Sequence, residues 1–204
     1  MLIATILDLE YTTWEGARER QWSGKNEHRE IVQIGAKKIE VSSNGVIRII
    51  DTLNMYVKPQ INTQLSDLFK ELTAISQDKI DNDGIIFNKL ITPLSEFIAD
   101  DIVFSWTNND YSVICENINL YNIEKNPMLP FYNLQEIFEK KSLPIRINSG
   151  HLAQSYNLNP AEQEHNALDD VSSIVDTIDY LLKTKQIKME DFNGLTPQWK
   201  SKKV

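Results

Sequence analysis

With 204 residues, 41% of them hydrophobic and 25% charged, the chain has the composition of a globular protein and the length of one well-cored domain, which excludes a disordered chain. No apolar run comes near the ~20 residues that cross a bilayer, and the single cysteine, Cys115, excludes an internal disulfide framework and suits a reducing, cytoplasmic setting. A formal net charge of −8 excludes a protein that grips long nucleic acid by counterion release alone, leaving either no nucleic-acid partner or a small grip where bound cations offset local acid.

Met1-Leu2-Ile3-Ala4 has no basic leader and no small-residue cleavage site, so it reads as the start of a strand and not as a signal peptide. Residues 2–11, LIATILDLEY, are apolar on both faces until the acids appear, which predicts a central strand. Residues 12–29 are polar, hold Trp14, Gly16, Trp22 and Gly24, and form a loop whose length points to function. EIVQIGAKKIEV (30–41) and VIRIIDTLNMYVK (46–58) are predicted strands joined by the turn Ser42-Ser43-Asn44-Gly45, so the chain opens as a meander. Helical spacing follows over 66–73 and 86–100, where Pro93 marks a break or a start. Residues 101–106 read as a short buried strand, and helices are predicted over about 110–121, 133–141, 151–158 and 167–182. Residues 183–204 are polar, carry Lys200, Lys202 and Lys203, and read as a partly ordered C-terminal extension to a domain over 1–182. No internal repeat or low-complexity linker interrupts the chain. The order βββ-α-β-α predicts an α/β protein, a mixed sheet with helices on its faces.

Asp8 and Glu10 are two apart on a strand, so both side chains leave the same face and continue the row Leu2, Ala4, Ile6. Two carboxylates ending an apolar row repel each other and are costly to desolvate unless a cation joins them. Taken alone, a strand that simply leaves the core explains them equally well. Asp110 follows the buried strand and shares a helical stripe with Val113, Ile114, Asn117 and Tyr121, although acids are common at helix starts for the dipole alone. On the last helix, Val171, Ile174, Val175, Ile178, Leu181 and Leu182 define one face; at about 100° per residue, Asp170 falls at its edge and Asp169 opposite, in solvent. Asp170 is therefore the candidate ligand, Asp169 a first-turn acid and Asn166 the N-cap. His165 sits just before this helix, and by itself would be an ordinary surface histidine.

Together these are four oxygen-donor acids from three elements, with a histidine beside the last. Oxygen ligands favour Mg²⁺ or Mn²⁺ over zinc, which wants His or Cys. Two such ions about 4 Å apart activate a water and stabilise the leaving oxygen of an in-line displacement at phosphorus. A histidine with a reference pKa of roughly 6.5 accepts the water's proton near neutrality. The expected chemistry is metal-assisted hydrolysis of a phosphodiester.

With these motifs the sequence resembles the DEDDh 3′-5′ exonucleases of the DnaQ-like, ribonuclease H-like superfamily. Asp8-Leu9-Glu10 matches the first motif, Asp110 the second, and His165 through Asp170 the third, with the family's His-to-Asp spacing of five. More narrowly, it resembles the RNA-interference-limiting and histone-mRNA 3′ exonucleases and the bacterial KapD-like proteins. The likeness runs through DLEYTTWEG (8–16), residues 57–81, SWTNNDYSVICENINLY (105–121), HLAQSYNL (151–158) and EHNALDDVSSI (164–174), most of residues 1–182.

The resemblance implies a ribonuclease H-like mixed five-stranded sheet. It implies two Mg²⁺ or Mn²⁺ ions held by Asp8, Glu10, Asp110 and Asp170, with His165 as general base. The implied partner is nucleic acid with a free 3′ end, RNA ahead of single-stranded DNA, released as nucleoside 5′-monophosphates. Leu9, Tyr11 and Thr12 would line the terminal nucleotide's place; Trp14 would offer a stacking surface, or equally be a loop tryptophan packed on the domain. Arg18, Arg20, Lys25 and the terminal lysines are the candidate phosphate contacts. The sequence shows no separate nucleic-acid-binding module, which with the acidic charge points to short or single-stranded ends. A polymerase proofreading subunit is the nearer rival function. A catalytically silent binding module is the other, disfavoured because no acid is missing and His165 is present.

Overall fold

The computed structural model describes residues 1–124 and 130–198. Strand β1 (Leu2–Tyr11) is buried from Ala4 to Leu9, because it runs inside the sheet with a layer on each face. Strands β2 (Ile31–Val41) and β3 (Ile47–Lys58) follow as the expected antiparallel meander, and Gly45 at φ 79° turns the chain between them. Next come helices α1 (Asp67–Thr73) and α2 (Gln77–Asp83), strand β4 (Ile85–Ile86), helix α3 (Phe87–Ile98), strand β5 (Ile102–Ser105) and helix α4 (Asn109–Leu120). Strand β6 (Phe131–Asn133), helix α5 (Gln135–Lys140), a 3-10 turn (Ser149–His151), helix α6 (Leu152–Ser155), helix α7 (Ala167–Lys183) and a second 3-10 turn (Met189–Phe192) complete the described chain.

The sheet order is β4-β3-β2-β1-β5-β6, with β5 parallel to β1, β6 to β5 and β4 to β3. It has six strands where five were expected. β4 and β6 are two and three residues long, too short to carry a hydrophobic period. Helix α2 was not predicted for a similar reason: Ile80 alone is buried, and its start is marked only by the Ser76 side chain accepting from Lys79 N. Pro93 neither breaks nor starts α3 but lies within it. The carbonyl it leaves without an amide belongs to Lys89, an exposed residue on the water side, where hydration replaces the lost bond.

Alternation along β1 divides the core. Ala4 and Ile6 join the cluster under α7, with Ile39, Phe104, Trp106, Val171, Ile174 and Ile178. Leu7 and Leu9 join the opposite cluster, with Ile34, Leu90, Val113 and Ile114 from β2, α3 and α4. Past α7 the polar stretch stays on the domain: Ile187, Phe192 and Leu195 are buried in the first cluster, and Thr196 N donates to Glu136 at 2.9 Å. Lys200, Lys202 and Lys203 lie outside the described residues. Among the described residues no helix is long and apolar enough to cross a membrane.

Candidate active site

The carboxyl ends of parallel strands β1 and β5 open side by side, the place where sheets of this kind bind ligands. Asp8 and Glu10 continue the row Ala4, Ile6 and so emerge on the α7 face. Asp110 lies in the first turn of α4, which begins four residues after β5 ends. Asp170 lies in the first turn of α7.

Close docking of α7 on β2 brings Asp170 over β1. A methyl group on Gly35, the residue paired with Asp8, would stand 2.4 Å from the Ala167 carbonyl carbon and the Leu168 nitrogen, so only glycine admits this approach. Gln33, paired with Glu10 and fully buried, then clamps the helix start. Its Oε1 accepts from Ala167 N at 3.0 Å, and its Nε2 donates to the Asn166 side chain at 3.2 Å. Asn166 caps the helix by accepting from Leu168 N and Asp169 N.

One carboxylate oxygen from each of Asp8, Glu10 and Asp170 lies within 4.8 Å of the other two. Asp8, Asp110 and Asp170 are 7%, 6% and 4% exposed, so these are buried charges and not a solvated strand end. Ser149 Oγ donates to Asp170 Oδ2 at 2.9 Å, while the buried Oδ1 has no hydrogen-bond donor among the described residues. A Cβ on Gly150 would come within 2.6 Å of that oxygen, so the 3-10 turn closes tightly beneath it. Burial first, then the neighbouring carboxylates, raise Asp8 and Glu10 well above the ordinary range. Burial pushes Asp110 up to about 7, against hydrogen bonds from backbone amides, and Asp170 up to about 6, against the Ser149 bond. Such a group fits a hard divalent cation: the donors are oxygens, one is buried without a hydrogen-bond donor among the described residues, and a cation relieves their repulsion.

The acids form the floor of a cleft of about 600 Å³ that also takes in His165. His165 precedes the N-cap of α7, has φ 56°, and makes no hydrogen bond or ion pair among the described residues. Leu9 borders the cleft although its side chain packs in the core. Tyr11 and Trp14 line one wall, and the Tyr11 hydroxyl accepts from Asn109 Nδ2 at 2.6 Å. Thr12 does not line it. A register shift after Glu10 turns Thr12 inward, where its hydroxyl donates to His28 O at 2.6 Å and accepts from Glu30 N at 3.0 Å. Of the loop cations only Arg18 borders the cleft; Arg20 pairs with Glu27, and Lys25 lies outside the lining. Asp169 is half-buried, outside the cleft lining, and its carboxyl is raised mainly by that burial.

Several residues at the site escaped the sequence reading. Gln33 carried a signal, a polar residue in the middle of a buried strand. Ser149, Gly150 and the cleft-lining Trp106 carried none, because they reach the site through tertiary packing alone. Trp106 is anchored by Nε1 donating to Ile147 O at 2.7 Å.

A profile of the exonuclease family, RNase_T, matches residues 5–177. The chain belongs to the exonuclease family. A human exonuclease, 3′-5′ exoribonuclease 1, is 36% identical over 76 residues, which is 37% of this chain and 19% of that protein, so the match spans about a fifth of the relative. Among solved structures, the nuclease domain of 3′hExo, described as a DEDDh family member bound to rAMP, superposes with TM-score 0.74 at 20% identity over 89% of this chain and 92% of that one. A structure of a 3′-exonuclease recognising the histone mRNA stem-loop gives TM-score 0.72 at 21% identity, over 89% and 82%. The E. coli ExoI–ssDNA complex gives 0.67 at 14% identity, over 91% and 41%. At these identities the structures establish the shared fold, which is the ribonuclease H-like exonuclease fold with a mixed sheet.

Proposed function

We propose that this exonuclease is divalent-metal-dependent, works in the 3′-5′ direction and shortens single-stranded nucleic acid, RNA ahead of DNA, to nucleoside 5′-monophosphates. The observation that carries this is the meeting of Asp8, Glu10 and Asp170 within 4.8 Å in a cleft that also holds Asp110 and His165. The relatives described as acting on or binding RNA support the preference, and the ExoI complex keeps single-stranded DNA as a second substrate. A lone thiol, Cys115, supports a reducing cytoplasmic setting.

Asp8, Glu10, Asp110 and Asp170 would hold two Mg²⁺ or Mn²⁺ ions. When bound, such ions supply water activation and charge stabilisation at the leaving oxygen of an in-line displacement. The rest falls to the chain's own groups. Ser149 holds the Asp170 carboxylate by Oδ2, while Oδ1, packed against Gly150, has no hydrogen-bond donor among the described residues. His165, which makes no hydrogen bond among the described residues, takes the proton of the attacking water at an imidazole nitrogen. Tyr11, steadied by Asn109, and Trp14 orient the terminal nucleotide.

The test uses RNA oligonucleotides labelled at either end, digested with Mn²⁺ and with EDTA. Shortening from the 3′ end in Mn²⁺ alone, with 5′-monophosphate products, is expected; internal cuts, or cleavage indifferent to EDTA, would overturn the reading. His165→Ala should slow turnover by about 10²–10⁴-fold, the usual worth of a general base, while Mn²⁺ still raises the melting temperature. Loss of that rise would make His165 a ligand and not a base.

A further inference from the structure

Resting on the exonuclease reading, we propose that the three-residue turn Ser149–His151 positions both sides of the hydrolytic machinery. Ser149 and Gly150 set the Asp170 carboxylate, and His151, acting through Glu164, holds the loop that presents His165. His151 and Glu164 are positioning residues in this arrangement.

The turn is a fixed support. Ser149 Oγ donates to Asp170 Oδ2 at 2.9 Å, and the Gly150 backbone lies against Oδ1. Three residues further along α7, the buried Ser173 clasps the same segment: its Oγ donates to Gly150 O at 3.3 Å and accepts from Ala153 N at 3.0 Å. Leu152 and Ala153, next in sequence, are fully buried. The turn is thereby locked to α7, and His151 is its last residue.

The loop 159–165 has no such support. Between Leu158 N, which donates to Ala153 O at 3.0 Å, and the Asn166 cap of α7, no backbone–backbone hydrogen bond reaches from the loop to another element among the described residues. The loop ends at His165 with φ 56°, a left-handed conformation that costs a side-chain-bearing residue free energy and persists where neighbours hold it. Glu164, the residue before it, meets His151: Oε1 and Nε2 are 2.7 Å apart, the one ion pair that joins this loop to another element among the described residues. An ionised carboxylate only accepts, so Nε2 carries a proton there, and the bond forms with a neutral or a charged ring alike. Neither side chain lines the cleft, so the pair reaches the chemistry through the backbone at His165.

The experiment measures kcat and KM with Mn²⁺ on a 5′-labelled oligoribonucleotide. The two side chains are 43% and 50% exposed, so the bond has the worth of an exposed pair, about two- to fivefold in the population of the held loop. His151→Ala and Glu164→Ala should each lower kcat by about that factor, and the double variant no further, because all three lose the same bond. In His151→Ala, KM should stay within about twofold and the Mn²⁺-induced rise in melting temperature should be unchanged. His151→Gln, which keeps an N–H donor, should restore most of kcat. Glu164 also adds repulsion at Asp170, so Glu164→Gln, which drops the charge and keeps an acceptor, should retain kcat and separate tether from charge. In a His165→Ala background, His151→Ala should leave the residual rate unchanged, since the group it positions is gone. Native kcat in His151→Ala, or the same fall with and without His165, would overturn the proposal. Backbone ¹⁵N relaxation reads the tether without turnover: order parameters at Glu164 and His165 should fall below about 0.6 in His151→Ala while Val171 and Ile174 stay near about 0.85. Unmoved values at Glu164 and His165 would overturn the proposal and leave the exonuclease reading intact. An unsubstituted chain inert on every oligonucleotide would defeat the exonuclease reading and, with it, the role given to the turn.

Discussion

Asp110 is a buried acid held above its ordinary range mainly by desolvation, with Asp170 adding repulsion. Exchanging it for asparagine keeps the shape and removes a charge that is costly without a cation. Asp110→Asn is therefore expected to abolish measurable cleavage while raising the melting temperature in EDTA at neutral pH by a few degrees, about 2–4 °C per kcal/mol in a chain of this size. Thermal melts of both proteins check this, and a lower melting temperature in the variant would show that the acid stabilises the fold. Asp169 stands beside Asp170 in sequence but lies outside the cleft lining. Asp169→Ala should keep turnover within about twofold, as substitutions away from the chemistry do. Helix phase put Asp170 and not Asp169 towards the core edge, and it is Asp170 that borders the cleft, because the apolar stripe of α7 is long and regular. It placed Asp169 in solvent where the residue is half-buried, because phase contains nothing about the loop that precedes the helix.

The same division holds for whole elements. β1, β2, β3 and α7 were legible because each carries ten or more residues of unbroken pattern. β4, β6 and α2 were not, because their positions are set by neighbours. The site was legible through residue types that are expensive to bury, and illegible wherever it depends on close backbone approach. Gly35 is the clearest example: nothing in VQIGAKK announces that a helix end rests on that residue. Gly35→Ala should push the first turn of α7 off β2 and cost about 1–3 kcal/mol, the usual range for overpacking. Because that turn carries Asp170, activity and Mn²⁺-induced stabilisation should fall well beyond what the folded fraction accounts for. Denaturant unfolding with parallel assays measures both, and a variant with native kcat would show that α7 is free to shift without disturbing the acids.

Across the whole molecule, the concentrated acid links folding to pH and to metal. Asp110 sits at about 7 and Asp170 at about 6, against an unfolded value near 3.9. Both are raised in the native state, so over roughly pH 4 to 7 that state binds more protons than the unfolded chain, and stability falls as pH rises through the window. Without metal, then, lowering pH from about 7.5 to about 5.5 should stabilise the protein through these groups. Divalent ions bind the deprotonated carboxylates and only in the folded state, so their stabilisation grows as pH rises. The gap between melting temperatures in Mn²⁺ and in EDTA should accordingly widen from about pH 5.5 to about 7.5, and a variant carrying both Asp110→Asn and Asp170→Asn should lose most of the widening. Melts in a buffer series read all of this directly. If the gap were constant with pH in the unsubstituted protein, metal binding would release no protons, and the acids would have to be ionised and separately solvated beforehand, contrary to their burial and their 4.8 Å spacing.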